Sequence, residues 1–392
     1  MTDTATRMLD SIRKLALDLP SRAAEIEAAR RMPPDLVDKL KSIGVYRMFV
    51  PRSHGGLELE LPEGVKVIAE LSKMEGSLGW AAMIASGSAM IASLMPMETY
   101  NQVYETSPDT ILSSSSQPAG TAEAVPGGWR VSGRWPFASG CQQADWMLGF
   151  CIMMKDGKPL PGHTGHDAPP LVRGLVLPAA EWRIEDTWHV AGLKGSGSHH
   201  IALTDKVVAE TNFFDIEDAV PCFPGPLYQT VRETIPVLHS AFSAGMAEGA
   251  VNELIELANT GRRQFRAPTS MRDSEMFQGE LGRVEADLLA AQAFLEVQAA
   301  NHWRQALTGT IGNGALRMRN TQNAVWTAAT CVRIVDACFA LGGGSAVYET
   351  SPLQRRLRDM HVGAQHAAAQ QRNYAAIGKL RLDERIPESS GG

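Results

Sequence analysis

Between two long stretches of helical pattern lies a segment, from about residue 111 to 225, where Gly, Pro and Trp become frequent and short alternating runs appear. Alternation with a period of two belongs to strands, and a period near 3.6 to helices, so a change of period marks a change of architecture. In "GTAEAVPGGWRVSGRW" two alternating runs flank a Gly-Gly turn, which reads as a hairpin. "WMLGFCIMM", "VRGLVLP" and "HHIALTDKVV" read as further strands. On the N-terminal side, "RAAEIEAARRMPPDLVDKLKSIGVYRMFVP" gives a helix, a Pro-Pro break and a second amphipathic helix ending near Gly44. "PEGVKVIAELSKMEGSLGWAAMIASGSAMIASLM" gives two more, the second almost wholly apolar and therefore expected to be buried. On the C-terminal side four long helical segments, roughly 229–260, 273–308, 315–341 and 351–380, are separated by "RAPTS", "GTIGNG" and "GGGSAVYETSP" and argue a four-helix bundle. The expected organisation is a helical domain (1–110), a β-domain (111–225), a helical bundle (226–385) and a disordered tail (386–392). A doubly wound α/β enzyme, with strands and helices alternating throughout, is excluded by that order.

With 392 residues, 44% apolar and 20% charged, the chain buries a sizeable core. Its formal charge of −6 leaves no electrostatic footprint for nucleic acid, and no basic run adjoins an amphipathic stretch to suggest a membrane surface. The N-terminus lacks the charged-then-apolar order of a secretory signal, and no run approaches 18 consecutive apolar residues, so a cytoplasmic location is expected. The five cysteines are odd in number, scattered and never spaced C-x-x-C, so neither a disulfide frame nor a metal site is expected.

Common cofactor motifs are incomplete. "GLKGSGSHH" contains G-x-G but lacks the third glycine and a surrounding βαβ unit, and "GGGS" has no lysine in the phosphate-loop position. His199 and His200 are adjacent, so on a strand they point to opposite faces and read as surface or interface residues.

Three stretches in order, "VSGRWPFASGCQQADWMLG", "RRQFR" and "ALGGGSAVYETSPLQRRLRDM", resemble the acyl-CoA dehydrogenase fold over nearly the whole chain. The resemblance implies a mainly α protein with a central β-domain: an N-terminal helical domain, a small β-barrel domain and a C-terminal four-helix bundle. In dehydrogenases that use the last-helix position, the catalytic base is a glutamate, and that place falls here on Ala367, beside His366. An alanine removes no α-proton. A histidine there, with "GRWPFASGC" and "DTWHVAGLKGSGS", is similar instead to the two-component flavin-dependent monooxygenases of this fold. Those include 4-hydroxyphenylacetate, steroid-phenol, dibenzothiophene and indole oxygenases.

The resemblance implies an oxygenase component and homotetramer that takes reduced FMN or FAD from a separate flavin reductase, reacts it with O2 to a flavin C4a-hydroperoxide, and hydroxylates a small aromatic or heteroaromatic substrate. Two alternatives stand beside it: an acyl-CoA dehydrogenase-like enzyme with its base on another helix, and a non-catalytic flavin-binding protein.

For the site, the resemblance implies flavin contacts from Ser115, Ser116, Phe137, Ser139, Gly195, Ser196 and Ser198, with Ser139 also catalytic. It implies a phosphate contact from Arg262, with Arg263 and Arg266 as alternates, since a guanidinium matches phosphate oxygens in a two-pronged fashion. Trp80 and Ser88 are expected to line the substrate pocket, and Ser88 stands where phenol hydroxylases of the group carry a second histidine.

For His366 the residues themselves add an argument. On one continuous helix over 351–380, His361 and His366 are turned roughly 140° apart, so they cannot share a metal. His366 would share a face with Asp359, Gly363, Ala369, Gln370 and Asn373, small and polar neighbours that leave room beside the ring and orient it. An imidazole titrates near neutral pH, as a base for a phenol or an indole N–H requires, so His366 is expected to act as base or orienting group.

Overall fold

The structure, a computed structural model, describes residues 1–15, 19–162, 169–310 and 314–383. The expected tail at 386–392 lies outside the described residues. Two compact units form, and they do not follow the three compositional blocks. The first comprises Met1–Glu60 and Trp80–Arg232, and the second Leu61–Gly79 with the residues from Glu233 onward.

In the first unit, helices α1 (Asp3–Leu15), α2 (Leu19–Ala29) and α3 (Pro34–Ile43) open the chain. Pro34 starts α3, where its missing N–H costs nothing, and Gly44 ends it at φ +93°, its N–H bonded to the carbonyls of Leu40 and Lys41. After α4 (Leu61–Met74), which belongs to the second unit, come α5 (Gly76–Ala92) and α6 (Met97–Tyr104). The apolar α5 is buried over most of its length, as its composition requires.

The remaining elements of this unit are β1 (Leu112–Ser114), β2 (Gly120–Val125), β3 (Gly128–Ala138), β4 (Trp146–Lys155), β5 (Lys158–Pro159), β6 (Val172–Pro178), β7 (Arg183–Glu185), β8 (His199–Val208) and β9 (Phe213–Asp215). They pair in one mixed sheet in the order β7-β8-β3-β2-β4-β6-β9, with β1 parallel to β4. β2 and β3 form the expected hairpin, closed between Val125 and Gly128. Among the described residues the ladder ends at β7 and β9, both three residues long.

Trp135 of β3 lies at the centre of this sheet's core, fully buried, with its Nε1–H donated to the Phe150 carbonyl at 2.7 Å. Gly120 and Gly133 make its place. A Cβ at either would stand 2.0 and 2.7 Å from the indole ring.

The second unit holds α4, α7 (Val231–Asn259), α8 (Glu275–Thr308), α9 (Ala315–Gly342), α10 (Pro352–Gly363) and α11 (Tyr374–Asp383). α7, α8 and α9 match the expected segments closely. The fourth segment is not one helix: α10 ends at Gly363, two short 3-10 turns follow (Ala367–Ala369 and Gln371–Asn373), and α11 starts at Tyr374. α9 packs against α8, α10 and α11, and α4 packs against α8.

One buried arginine ties three of these helices together. Arg356 of α10 donates to Glu253 of α7 at 3.1 Å and to the terminal carbonyls of α4: Ser72 at 2.8 Å, Met74 at 3.0 Å, and Lys73. The last carbonyls of a helix have no partner within it, so the guanidinium supplies three of them at once. Gly249 on α7 leaves the space, since a Cβ there would stand 2.6 Å from the Arg356 guanidinium carbon.

Removing a buried partner of this kind strands the Glu253 carboxylate and three carbonyls. Arg356→Leu is therefore expected to lower unfolding stability by ~3–5 kcal/mol in denaturant titration, with Arg356→Lys recovering little because an ammonium lacks the planar fork. Equal stability of wild type and Arg356→Leu would refute the cap.

Candidate active site

Two clusters, one in each unit, carry the residues singled out by sequence. In the first unit the chain after Trp135 departs from regular strand geometry. The register of β3 against β8 slips between Trp135 and Ala138, and within that bulge Phe137 adopts φ +63°, a left-handed conformation rare for an aromatic residue. The bulge turns Phe137 outward, leaving it 55% exposed while Ala138 beside it and Trp135 two residues before it are buried. Its ring meets Trp188 and His200 edge-on, each at 6.3 Å between centroids.

Trp188 is itself held in place. Its Nε1–H bonds the Leu193 carbonyl at 3.0 Å, and the backbone N–H groups of Thr187 and Trp188 both donate to Nδ1 of buried His199 at 3.2 Å. Burial holds the His199 and His200 imidazoles below their ordinary pKa. The pair does point to opposite faces, but His199 is an internal brace and not a surface residue.

Directly after the bulge, the Trp80 Nε1–H donates to Ser139 Oγ at 3.0 Å; Ser139 Oγ lies 2.7 Å from Ser198 Oγ, which lies 2.7 Å from Ser196 Oγ. All four side chains are buried. Ser113 Oγ donates to the Ser139 carbonyl at 2.9 Å, and the Gly140 N–H to the Ser196 carbonyl at 2.8 Å. Ser115 is buried with its hydroxyl on the Pro136 carbonyl at 2.6 Å, whereas Ser116 is exposed. Buried Ser88 donates to Ser114 Oγ at 2.8 Å.

The structure thus joins Trp80, Ser139, Ser196 and Ser198 in one hydrogen-bonded chain and hangs Ser115 and Phe137 on its flank. Gly195 lies buried in the turn Lys194–Ser196. Gly195–Ser198 forms a packed turn, with the Ser196 and Ser198 hydroxyls bonded to each other and Ser198 to Ser139.

In the second unit, His366 does not sit inside a helix. With φ −60° and ψ 147° it precedes the 3-10 turn Ala367–Ala369, and the Ala368 N–H donates to its Nδ1 at 3.2 Å. The helical face drawn through Asp359, Gly363 and Asn373 therefore does not exist.

Side chains competing for backbone groups break the Ala-rich run. Gln370 Nε2 donates to the Gln365 carbonyl at 2.9 Å, Asn373 Nδ2 to the Ala367 carbonyl at 2.8 Å, and His366 takes the Ala368 N–H. His361 lies on the exposed side, 2.8 Å from Asp336 Oδ1 on α9.

Beneath His366 lies a residue that sequence reasoning missed. His239, fully buried on α7, stacks on the His366 ring at 5.3 Å between centroids and 19° between planes. Its Nε2–H donates to the Gly363 carbonyl, the end of α10, at 3.1 Å. Burial pushes His239 down to about 4. Desolvation, then the neighbouring His239, pushes the half-buried His366 down to about 3. Both rings are neutral at pH 7. With Nδ1 of His366 accepting the Ala368 N–H, the single ring proton of the neutral form sits on Nε2. The signal for His239 in sequence is a polar triple, His239, Ser240 and Ser243, in a stretch of α7 (236–247) that is buried throughout.

Arg262 follows α7 in the second unit, partly buried, with Nε bonded to no other described group. Arg263 is turned onto the Ala267 and Pro268 carbonyls, and Gln264 onto the Leu341 carbonyl at 3.2 Å. Each unit by itself offers groups that suit a flavin. In the first, Phe137 is an exposed aromatic surface on a strained turn and His200 Nδ1 is a buried polar atom without a partner among the described residues, as the edge of a flat polar ring requires; in the second, Arg262 Nε is likewise without one, as a phosphate contact requires.

Comparison with known proteins agrees. The acyl-CoA dehydrogenase N-terminal domain family matches residues 2–100 and the acyl-CoA dehydrogenase C-terminal domain family residues 237–371. Indole-3-acetate monooxygenase of Pseudomonas putida is 31% identical over 379 residues, covering 95% of this chain and 92% of its own. The FADH(2)-dependent resorcinol hydroxylase, oxygenase component, of a Rhizobium species is 28% identical, covering 97% and 94%. The crystal structure of the HsaA monooxygenase from M. tuberculosis superposes with a TM-score of 0.87 at 26% identity, covering 98% of each chain. Helices at both ends, the mixed sheet between them and these relatives agree: the chain belongs to the acyl-CoA dehydrogenase-fold family, among its flavin-dependent monooxygenase oxygenase components.

Proposed function

We propose that this oxygenase component receives its reduced flavin from a separate flavin reductase and hydroxylates a small aromatic substrate of the indole or phenol type. The observation that carries the reading is the buried chain Trp80–Ser139–Ser198–Ser196 behind the outward-turned Phe137. It fixes an aromatic surface in place without spending an exposed polar group near it. A bound reduced flavin supplies two electrons and activates O2, so that one oxygen atom enters the ring and the other leaves as water.

Phe137, Ser115 and Ser116 would hold the flavin ring, Arg262 its phosphate, and Ser139, Gly195, Ser196 and Ser198 would keep the turn rigid. Trp80 and Ser88 would bound the substrate, with Ser88 supplying a hydroxyl where a phenol hydroxylase has an imidazole. His366, neutral and protonated on Nε2, would orient the substrate or cofactor by donation. Acyl-CoA dehydrogenation is disfavoured because Ala367 holds no carboxylate and His366 has its Nδ1 lone pair engaged. A homotetramer is supported by exposed apolar residues along α8 (Met276, Leu289, Val297 and Leu307), and a cytoplasmic location by five cysteines, all free.

The reading is tested by supplying reduced flavin through a reductase and measuring hydroxylated product against H2O2 on indole-3-acetate and resorcinol. Substrate-dependent product supports it; H2O2 alone across the panel counts against it. Ser139→Ala removes the acceptor for Trp80 and is expected to shift the product-to-H2O2 ratio towards H2O2 by roughly tenfold, because a small displacement at the ring surface exposes it to water. His366→Gln, which keeps a donor, is expected to stay within about tenfold of wild type in product yield, whereas His366→Glu, a base without a donor, loses product; the reverse order would reinstate the general base.

The neutral histidines also fix a pH response. His239 binds its proton only near pH 4 when folded but near 6.5 when unfolded, so its contribution is complete above pH 6.5 and is lost as pH falls towards 4. Denaturant titrations should show stability falling by roughly 3 kcal/mol from this residue over that window, and His239→Phe should flatten that part of the slope.

A further inference from the structure

We propose that His239 is a positioning residue for His366, holding its ring in the stacked, Nε2-protonated arrangement. The inference deepens the proposed function and rests on the role given there to His366.

Three observations converge on it. First, His366 lies outside any helix, so the α-helical ladder does not fix its orientation, and the Ala368 N–H on Nδ1 sets its tautomer. Second, the His239 ring supplies a flat floor, 5.3 Å away and within 19° of parallel, on the rigid 29-residue helix α7. Third, the same imidazole donates to the Gly363 carbonyl, the last residue of α10 and three residues before His366. That carbonyl also accepts the His366 backbone N–H at 3.2 Å, so His239 bonds the same oxygen that holds the His366 backbone. One buried side chain therefore fixes both the point where α10 stops and the plane in which the following histidine lies.

The chemistry of the pair is consistent. The Gly363 oxygen can only accept, so His239 carries its proton on Nε2, and a neutral floor lies beneath a neutral ring. A second charge at this spacing in a water-poor interior would repel strongly, so a protonated His239 would displace the ring it supports. No aliphatic residue reproduces this. A leucine would fill volume but neither bond Gly363 nor offer a flat face, a phenylalanine would keep only the face, and a glutamine only the donor.

The test uses the full-length protein with histidine-selective 15N labelling and the variants His239→Leu, His239→Phe and His239→Gln, each checked for fold by circular dichroism. In the wild type, the His366 Nδ1 resonance is expected in the unprotonated range and Nε2 in the protonated range, as one sharp set. His239→Leu is expected to give mixed tautomers or exchange broadening at His366, with product yield per reduced flavin falling about tenfold while KM changes less than kcat. His239→Phe and His239→Gln should each restore part of the ordered signal. An unchanged His366 signal in folded His239→Leu would overturn the proposal. A disordered His366 signal with undiminished product would uphold the positioning and instead overturn the functional role given to His366.

Discussion

The site in the first unit depends on one tryptophan. Trp135 fills the middle of the sheet, and the glycines opposite it leave no other residue type room there. Past the indole, which is anchored to the Phe150 carbonyl, the register of β3 against β8 slips and the bulge turns Phe137 outward. Ser139 then arrives where the Trp80 indole, Ser113 and Ser198 can all reach it. A strained aromatic residue on the surface is costly, and such positions persist where the surroundings over-determine them. Here the surroundings are Trp135 on one side and the serine chain on the other.

In the second unit the equivalent constraint is dryness. His239 and His366 are kept neutral by burial, and the Ala368 N–H and the Gly363 carbonyl set which nitrogen of each ring carries the proton. Arg356 gives this unit its rigidity by closing the end of α4 from α10, so the turn that carries His366 begins from a fixed helix.

Much of this was legible in the residues. The change of period at 111 and 225, the Gly-turn hairpin, and helices α7, α8 and α9 follow from pattern alone. The ordered stretches around Phe137–Ser139, Arg262 and Gly342–Arg358 carry the family resemblance. What pattern does not carry is competition. An Ala-rich run has high helix propensity, yet Gln370, Asn373 and His366 each capture a backbone group and end the helix, an outcome that depends on side-chain geometry rather than composition. Likewise "GSGS" reads as a mobile loop because glycine and serine usually are; the partners that bury Ser196 and Ser198 lie some 59 residues away in sequence at Ser139. His239 was hidden for a similar reason: its importance comes from a contact 124 residues distant at Gly363.

The most direct test of the central claim follows the oxygen atom. The protein is supplied with reduced flavin by a separate reductase, under 18O2, with an indole- or phenol-type substrate, and the product is weighed by mass spectrometry. The account predicts one 18O atom per hydroxylated product. Product carrying oxygen from water, or flavin reduction by an acyl-CoA thioester in the absence of any reductase, would contradict it.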